Sequence, residues 1–354
     1  AAVTVTASAR CMSWPDVQGD RGVFAYEGDL WLANLSGGLA WRLTSHPGEE
    51  TMPRFSPDGQ WIAFTGEYEA GPNAYLIPAE GGAPRRLTFR PGAEVVGWTP
   101  DGAQVIFRAS WEHSFRPVTR LYQVGVNGDM PVALPMPRAV LADFSPDGQR
   151  IAYNPLGREE YNWKRYQGGQ HLTLWLHDTG DGSYRKLSEH PGKNAYPMWL
   201  GETLYFASEQ GEGGVVNLFR HDFNTGKPVQ VTRYTDFDVQ MPATDGRRIV
   251  FVQAGYLQVW DPAASAPRRI EVQTPSDHWR MAKRIVNPKE YVHSMAISND
   301  GRTAALEARG DLFLVPADAN DPTVNLTRSP GTRERFPQIS PDGETLAFFF
   351  YVTG

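Results

Sequence analysis

Histidines, a cysteine and paired carboxylates are the residues of this 354-residue chain that could do chemistry, and their spacing argues against most of it. The eight histidines stand at 46, 113, 171, 177, 190, 221, 278 and 293, too scattered to read as a metal-ligand cluster. His46 and His190 open matching His-Pro-Gly steps, in register with Arg90-Pro91-Gly92 and Ser329-Pro330-Gly331, so they read as turn residues of a repeat. Glu49-Glu50 and Glu159-Glu160 are sequence neighbours, which on a strand face opposite sides, so they read as solvated loop charge and not as acid/base dyads. Asp58, Asp101, Asp147, Asp245, Asp300 and Asp342 each precede a glycine, but the alternating oxygen ligands of a calcium loop are missing. No Gly-x-Ser-x-Gly elbow, His-Glu-x-x-His, phosphate-cradling loop or Cys-x-x-Cys occurs. No catalytic residue, metal or cofactor is therefore expected.

Those aspartates instead mark the elements that would position any site. Phe55-Ser56-Pro57-Asp58-Gly59-Gln60-Trp61-Ile62-Ala63-Phe64 is a hairpin tip followed by a strand: Pro57 presets φ, Asp58 bonds back to its own backbone, and Gly59 accepts positive φ. The six aspartates are spaced 43, 46, 98, 55 and 42 residues apart, the long gap holding a degenerate copy at Leu200-Gly201-Glu202. A period of about 40–50 residues is one four-stranded propeller blade. Four strand signals recur in each period. The first strand often carries proline (Pro15, Pro53, Pro197, Pro242, Pro337), as suits an incompletely paired innermost strand. The fourth is short, and alternation puts Leu43, Leu87, Leu187, Val231, Ile270 and Leu326 on the packed face, with neighbouring Arg, Lys and Thr turned outward.

The expected fold is all-β: residues 1–10 a terminal segment, 11–274 a six-bladed β-propeller, 275–290 a linker, and 291–354 the first blade and a half of a second propeller. One closed ring of seven or eight blades, with the termini sharing the last, is the alternative. Thirty-five glycines, twenty-eight prolines and 12% aromatics suit short strands and many turns. A net charge of -6 without a basic run argues against a nucleic-acid partner, and no apolar run is long enough to span a membrane. Cys11 is the only cysteine, which excludes an internal disulfide and leaves the compartment open.

The repeat breaks at 109–119 and at 156–171, where the second-to-third-strand connections lengthen; such insertions on a rigid scaffold are where binding groups lie. Trp163 and Tyr166 offer flat apolar faces, and Lys164 and Arg165 can pair a carboxylate. The same aromatics would equally serve to cap the core beneath a loop.

Phe144-Ser145-Pro146-Asp147-Gly148, Tyr161-Asn162-Trp163-Lys164-Arg165-Tyr166 and Leu174-Trp175-Leu176-His177-Asp178 resemble the N-terminal propeller of tricorn-type serine proteases. Pro275-Ser276-Asp277-His278-Trp279-Arg280 and the segments around Glu307–Phe313 and Gly331–Pro337 resemble the start of that family's second propeller. The resemblance implies a multidomain serine peptidase acting on short peptides, whose propellers sieve and channel substrate to a catalytic region that this chain does not contain. It makes His113, Arg116 and Arg120 the nearest candidates for anchoring a peptide carboxylate, beside Trp163, Lys164 and Arg165. Peptides or a protein are the partners it implies, a homo-oligomer of the full-length protein is compatible with it, and the frequent export of its bacterial members leans toward the periplasm, with the cytoplasm also open. The rival functions are a free-standing TolB-like propeller acting as a protein-interaction module and a propeller-fold sugar lyase, which would need clustered histidines or a metal.

Overall fold

The computed structural model describes residues 7–8, 10–112, 118–157, 159, 166, 168–276, 287–329 and 332–352. Their contacts fall into two units, 1–280 and 281–354. Both are built mainly of antiparallel strands, with only short 3-10 turns such as Glu212–Gly214 as helical structure among the described residues. The chain is an all-β, propeller-type assembly of four-stranded sheets.

In the first unit six such sheets follow one another, each an up-and-down meander. Their first strands are Ser13–Gln18, Glu50–Phe55, Glu94–Trp98, Leu141–Phe144, Asn194–Leu200 and Gln240–Thr244. Each packs beside the first strand of the next sheet, and Gln240–Thr244 packs beside Ser13–Gln18. Apolar layers fill the space between neighbouring sheets: Phe24 and Trp31 of the first meet Val250 and Val252 of the sixth, and Ala63 and Leu76 of the second meet Val105 and Phe107 of the third. Phe24, Phe64, Phe107 and Phe251 are fully buried, each stabilising by on the order of 2–3 kcal/mol. After the sixth sheet, Val272–Thr274 pairs in parallel with Gly38–Leu39 and antiparallel with Ala7–Ser8. Gly37, at φ +90°, makes that approach possible, because a Cβ there would stand 2.7 Å from the Glu271 carbonyl oxygen.

The hairpin aspartates are turn residues. Asp58 Oδ1 accepts from the Ser56 hydroxyl at 2.5 Å and the Gln60 N–H at 3.0 Å, while the Trp61 N–H donates to Ser56 Oγ at 2.9 Å. Asp101, Asp147, Asp300 and Asp342 repeat the arrangement, and these bonds hold all five carboxyls below the ordinary range.

The first-strand prolines mark bulges. Pairing slips between Ser13 and Asp16, Thr51 and Arg54, Ala195 and Met198, Gln240 and Ala243, and Arg335 and Gln338. The residue before each proline is left-handed: Trp14, Met52, Tyr196, Met241 and Phe336 have φ of 52°, 53°, 57°, 49° and 54°. A bulge bends its strand and re-aims the side chain that follows.

Two expectations about the fourth strands fail. Thr44, Thr88 and Thr232 are buried, not outward, as is Ser188 at the matching position, because these strands are two to four residues long and the chain turns inward at their ends. Their hydroxyls accept the N–H groups of Leu30, Ala74, Leu174 and Leu218 at 2.8–3.0 Å, donors at the third-strand starts that the short fourth strand leaves unpaired. Leu326, expected on a packed face, is 42% exposed.

The second unit holds a four-stranded sheet (Val292–Ile297, Thr303–Ala308, Asp311–Pro316, Val324–Asn325) and a two-stranded one (Thr332–Ile339, Leu346–Val352). Met295, Ile297, Phe349 and Phe350 are exposed on them.

Candidate functional site

The six first strands of the first unit line one cavity of about 330 Å³, with Ser56, Pro57, Thr99 and Pro100 of the hairpin turns at one end. Asp16, Arg54 and Asp143 face it. Asp16 and Arg54 are each the residue directly after a bulge proline, so the backbone irregularity is what aims them.

Asp16 is 4% exposed, and its Oδ2 accepts the Phe55 N–H of the next sheet at 2.7 Å. Asp143 Oδ2 accepts the Trp199 N–H at 2.6 Å, again from the next sheet, and its Oδ1 accepts the Phe144 N–H at 3.0 Å. Phe55 and Trp199 each lie two residues beyond a bulge proline, so each carboxylate stitches its sheet to a neighbour through an N–H beside the bulge. Burial pushes Asp16 up to about 7, opposed by the positive charge of Arg54 and by the amides of Phe55 and Val17. Burial likewise pushes Asp143 up to about 6, opposed by the Trp199 and Phe144 amides and by Arg54. Arg54 donates from Nε to the Val96 carbonyl at 3.0 Å and from Nη1 to the Pro53 carbonyl at 2.9 Å. The cavity can therefore hold a guanidinium between two carboxyls that titrate near neutrality.

A second charged cluster lies at the other end of the strands, beside a cavity of about 510 Å³ lined by Glu94, Arg108, Trp111 and Glu159. Arg108 pairs with Glu94 at 2.5 Å and with Glu159, and both acids keep its guanidinium charged. This corrects the reading of Glu50 and Glu159 as solvated, while Glu160 lies outside the described residues. Glu159 is 6% exposed and Glu50 is fully buried. Glu50 accepts from Thr44 Oγ1 and, at 2.7 Å, from the Tyr68 hydroxyl, and burial raises it to about 7. Glu49 remains exposed. In the His-Pro-Gly turns, His46 Nδ1 accepts the Gly48 N–H at 2.9 Å. Among the described residues no group of three or more His, Cys, Asp or Glu could hold a metal ion, and no helix is long and apolar enough to cross a membrane.

The family described as the tricorn protease N-terminal beta propeller domain matches residues 9–266. The chain belongs to this family. The putative tricorn protease homolog 2 of Streptomyces coelicolor is 34% identical over 351 residues, covering 94% of this chain and 29% of the relative. The putative Tricorn-like protease N-terminal subunit of Sulfurisphaera tokodaii is 25% identical over 161 residues, covering 44% of this chain and 80% of the relative. A crystal structure of the tricorn protease matches in fold with a TM-score of 0.74 at 23% identity, over 97% of this chain and 34% of that one. The chain thus spans about a third of the length of its long tricorn relatives.

Of the residues that the tricorn resemblance singles out, His113, Arg116, Trp163, Lys164 and Arg165 lie outside the described residues. Arg120 opens the strand Arg120–Gly125, donates from Nη1 to both Glu112 oxygens at 2.9 and 2.7 Å, and from Nη2 to the Leu134 carbonyl at 3.0 Å. Glu112 also accepts from the Tyr122 hydroxyl at 3.1 Å. Arg120 is thereby brought together with Glu112 and Tyr122, at the end of its sheet remote from Asp16 and Asp143. Sequence reasoning missed both carboxylates and Arg54, although Phe144, the first residue of a tricorn-type motif, donates its N–H to Asp143. One signal was present for two of them: the residue after each first-strand proline.

Proposed function

We propose that the first unit is a six-bladed propeller whose central channel guides or sieves extended peptides toward the catalytic part of a tricorn-like serine peptidase, and is itself non-catalytic. The observation that carries this reading is the convergence of six first strands on one cavity bearing fixed charges. Closure of the ring is supported by the packing of Gln240–Thr244 on Ser13–Gln18, by the layer that the first and sixth sheets share, and by the pairing of Val272–Thr274 with Gly38–Leu39. The limits 11–274 for the propeller, 275–290 for a linker and 291–354 for the start of a second propeller belong to the same proposal, as does homo-oligomer formation by the full-length protein. A relative named as a separate N-terminal subunit supports a division of labour between propeller and catalytic parts.

His113, Arg116, Arg120, Trp163, Lys164 and Arg165 are the proposed peptide contacts. A polar, narrow passage admits an extended chain and excludes a folded domain. The test mixes the purified chain with fluorescent unstructured peptides and with a folded protein carrying the same label. Peptide binding without cleavage, and no binding of the folded protein, is expected. Peptide hydrolysis by the 354-residue chain alone would overturn the reading.

A further inference from the structure

The charged groups lining the central cavity are few: Asp16, Arg54 and Asp143 within it and Asp245 at its rim. Asp245 is occupied as a turn residue, its Oδ1 accepting the Arg247 and Arg248 N–H groups at 2.9 and 2.8 Å and its Oδ2 the Gly19 N–H at 3.2 Å. The strands Asn194–Leu200 and Gln240–Thr244 bring no charge. Glu50 and Glu94 sit at the far ends of their strands, Glu50 hydrogen-bonded to Thr44 and Tyr68 and Glu94 ion-paired to Arg108. Arg54 Nη2 makes no hydrogen bond, and no ion pair within 4 Å joins Arg54 to Asp16 or Asp143, among the described residues. The stitches account for the inward carboxylates; they give no reason for a guanidinium without a close ion pair facing the same space.

We propose that Asp16, Arg54 and Asp143 together select the peptides that enter the channel by side-chain charge, an inference that rests on the channel reading above. The selection reverses with pH. Asp16 ionises near 7 and Asp143 near 6, because burial disfavours their charged forms. On the acid side both carboxyls are neutral and the guanidinium alone sets the field, which attracts Glu- and Asp-bearing peptides. On the alkaline side two carboxylates outweigh one guanidinium, and Lys- and Arg-bearing peptides are favoured. Low-dielectric walls focus such a field, so the reversal is worth roughly tenfold in affinity for each peptide class.

The experiment measures fluorescence anisotropy of three pentapeptides, dansylated at the N-terminus and amidated at the C-terminus and alternating alanine with glutamate, glutamine or lysine, against the whole chain at pH 5.5 and pH 8.5 at fixed ionic strength. The glutamate peptide is expected to bind about tenfold tighter at pH 5.5, the lysine peptide about tenfold tighter at pH 8.5, and the glutamine peptide equally at both. Arg54→Gln should abolish the glutamate preference and Arg54→Lys should retain it, which separates charge from a folding defect. Asp143→Asn should weaken lysine-peptide binding at pH 8.5. Equal binding of all three peptides at both pH values overturns the charge selection and leaves the peptide channel standing. A pH reversal that persists in Arg54→Gln and Asp143→Asn overturns it too, by placing the charge elsewhere. If none of the three peptides binds at either pH, the channel reading falls and the selection with it.

Discussion

Replacing Asp16 with asparagine should change how stability depends on pH more than it changes stability itself. An aspartate ordinarily loses its proton at 3.8, whereas in the folded chain Asp16 holds it to about 7. Between these values the folded state keeps a proton that the unfolded state has shed, so the contribution is fully present below the lower value and is lost as pH rises through the upper one. Three pH units at about 1.4 kcal/mol each come to about 4 kcal/mol for Asp16. Asparagine keeps the shape, its Oδ1 can still accept the Phe55 N–H, and it does not titrate. Asp16→Asn should therefore gain on the wild type by up to about 4 kcal/mol between pH 4 and pH 8. Asp143 and Glu50 are raised as well and keep a slope in both proteins, so the difference isolates Asp16. Urea unfolding followed by tryptophan fluorescence at pH 4, 6 and 8 measures it, since all eleven tryptophans lie in the first unit. Parallel pH profiles for the two proteins would refute the reasoning, because they would mean that Asp16 ionises in the fold as it does in water.

The remaining predictions concern how the sheets are held. Thr88→Val leaves the Ala74 N–H and Asn73 Oδ1 without the hydroxyl they share and should cost about 2 kcal/mol, with Thr88→Ser costing under half as much by urea midpoint. Arg108→Met buries the Glu159 carboxylate without its cation and should cost about 3–5 kcal/mol, most of it recovered when Glu159→Met is added; equal losses in the single and double variants would contradict an ion-pair role. Gly37→Ala puts a Cβ against the Glu271 carbonyl at a positive φ and should cost at least about 1 kcal/mol. Its signature is faster hydrogen exchange at the Gly38 and Ala40 amides, which donate to Glu271 and Gln273.

The scaffold was legible because its punctuation is chemical and local. Ser56, Pro57, Asp58 and Gly59 make their turn with one another and with the next two backbone amides, so copies of that tetrad announce themselves in the primary structure. The fourth strands were legible as strands but not in the direction of their threonines. Alternation assumes that the strand continues, whereas Thr88 stands where Arg85–Arg86 has already ended. The cavity was illegible for another reason. Asp16, Arg54 and Asp143 come from three different repeats and meet only when separate sheets stand side by side. Glu159 was misjudged on the same ground, since its partner Arg108 lies 51 positions away on another sheet.

The paired use of Asp16 with Phe55 and of Asp143 with Trp199 bears on how such a chain can be recombined. The first, second, fourth or fifth repeat, cut out alone and moved to another protein, would leave behind either the carboxylate or the amide it serves. Each of these can be exchanged without orphaning one of them only together with its partner, the first with the second or the fourth with the fifth, whereas the third and the sixth carry neither group. Shuffling in this family, natural or engineered, is therefore best tolerated at the borders between those pairs.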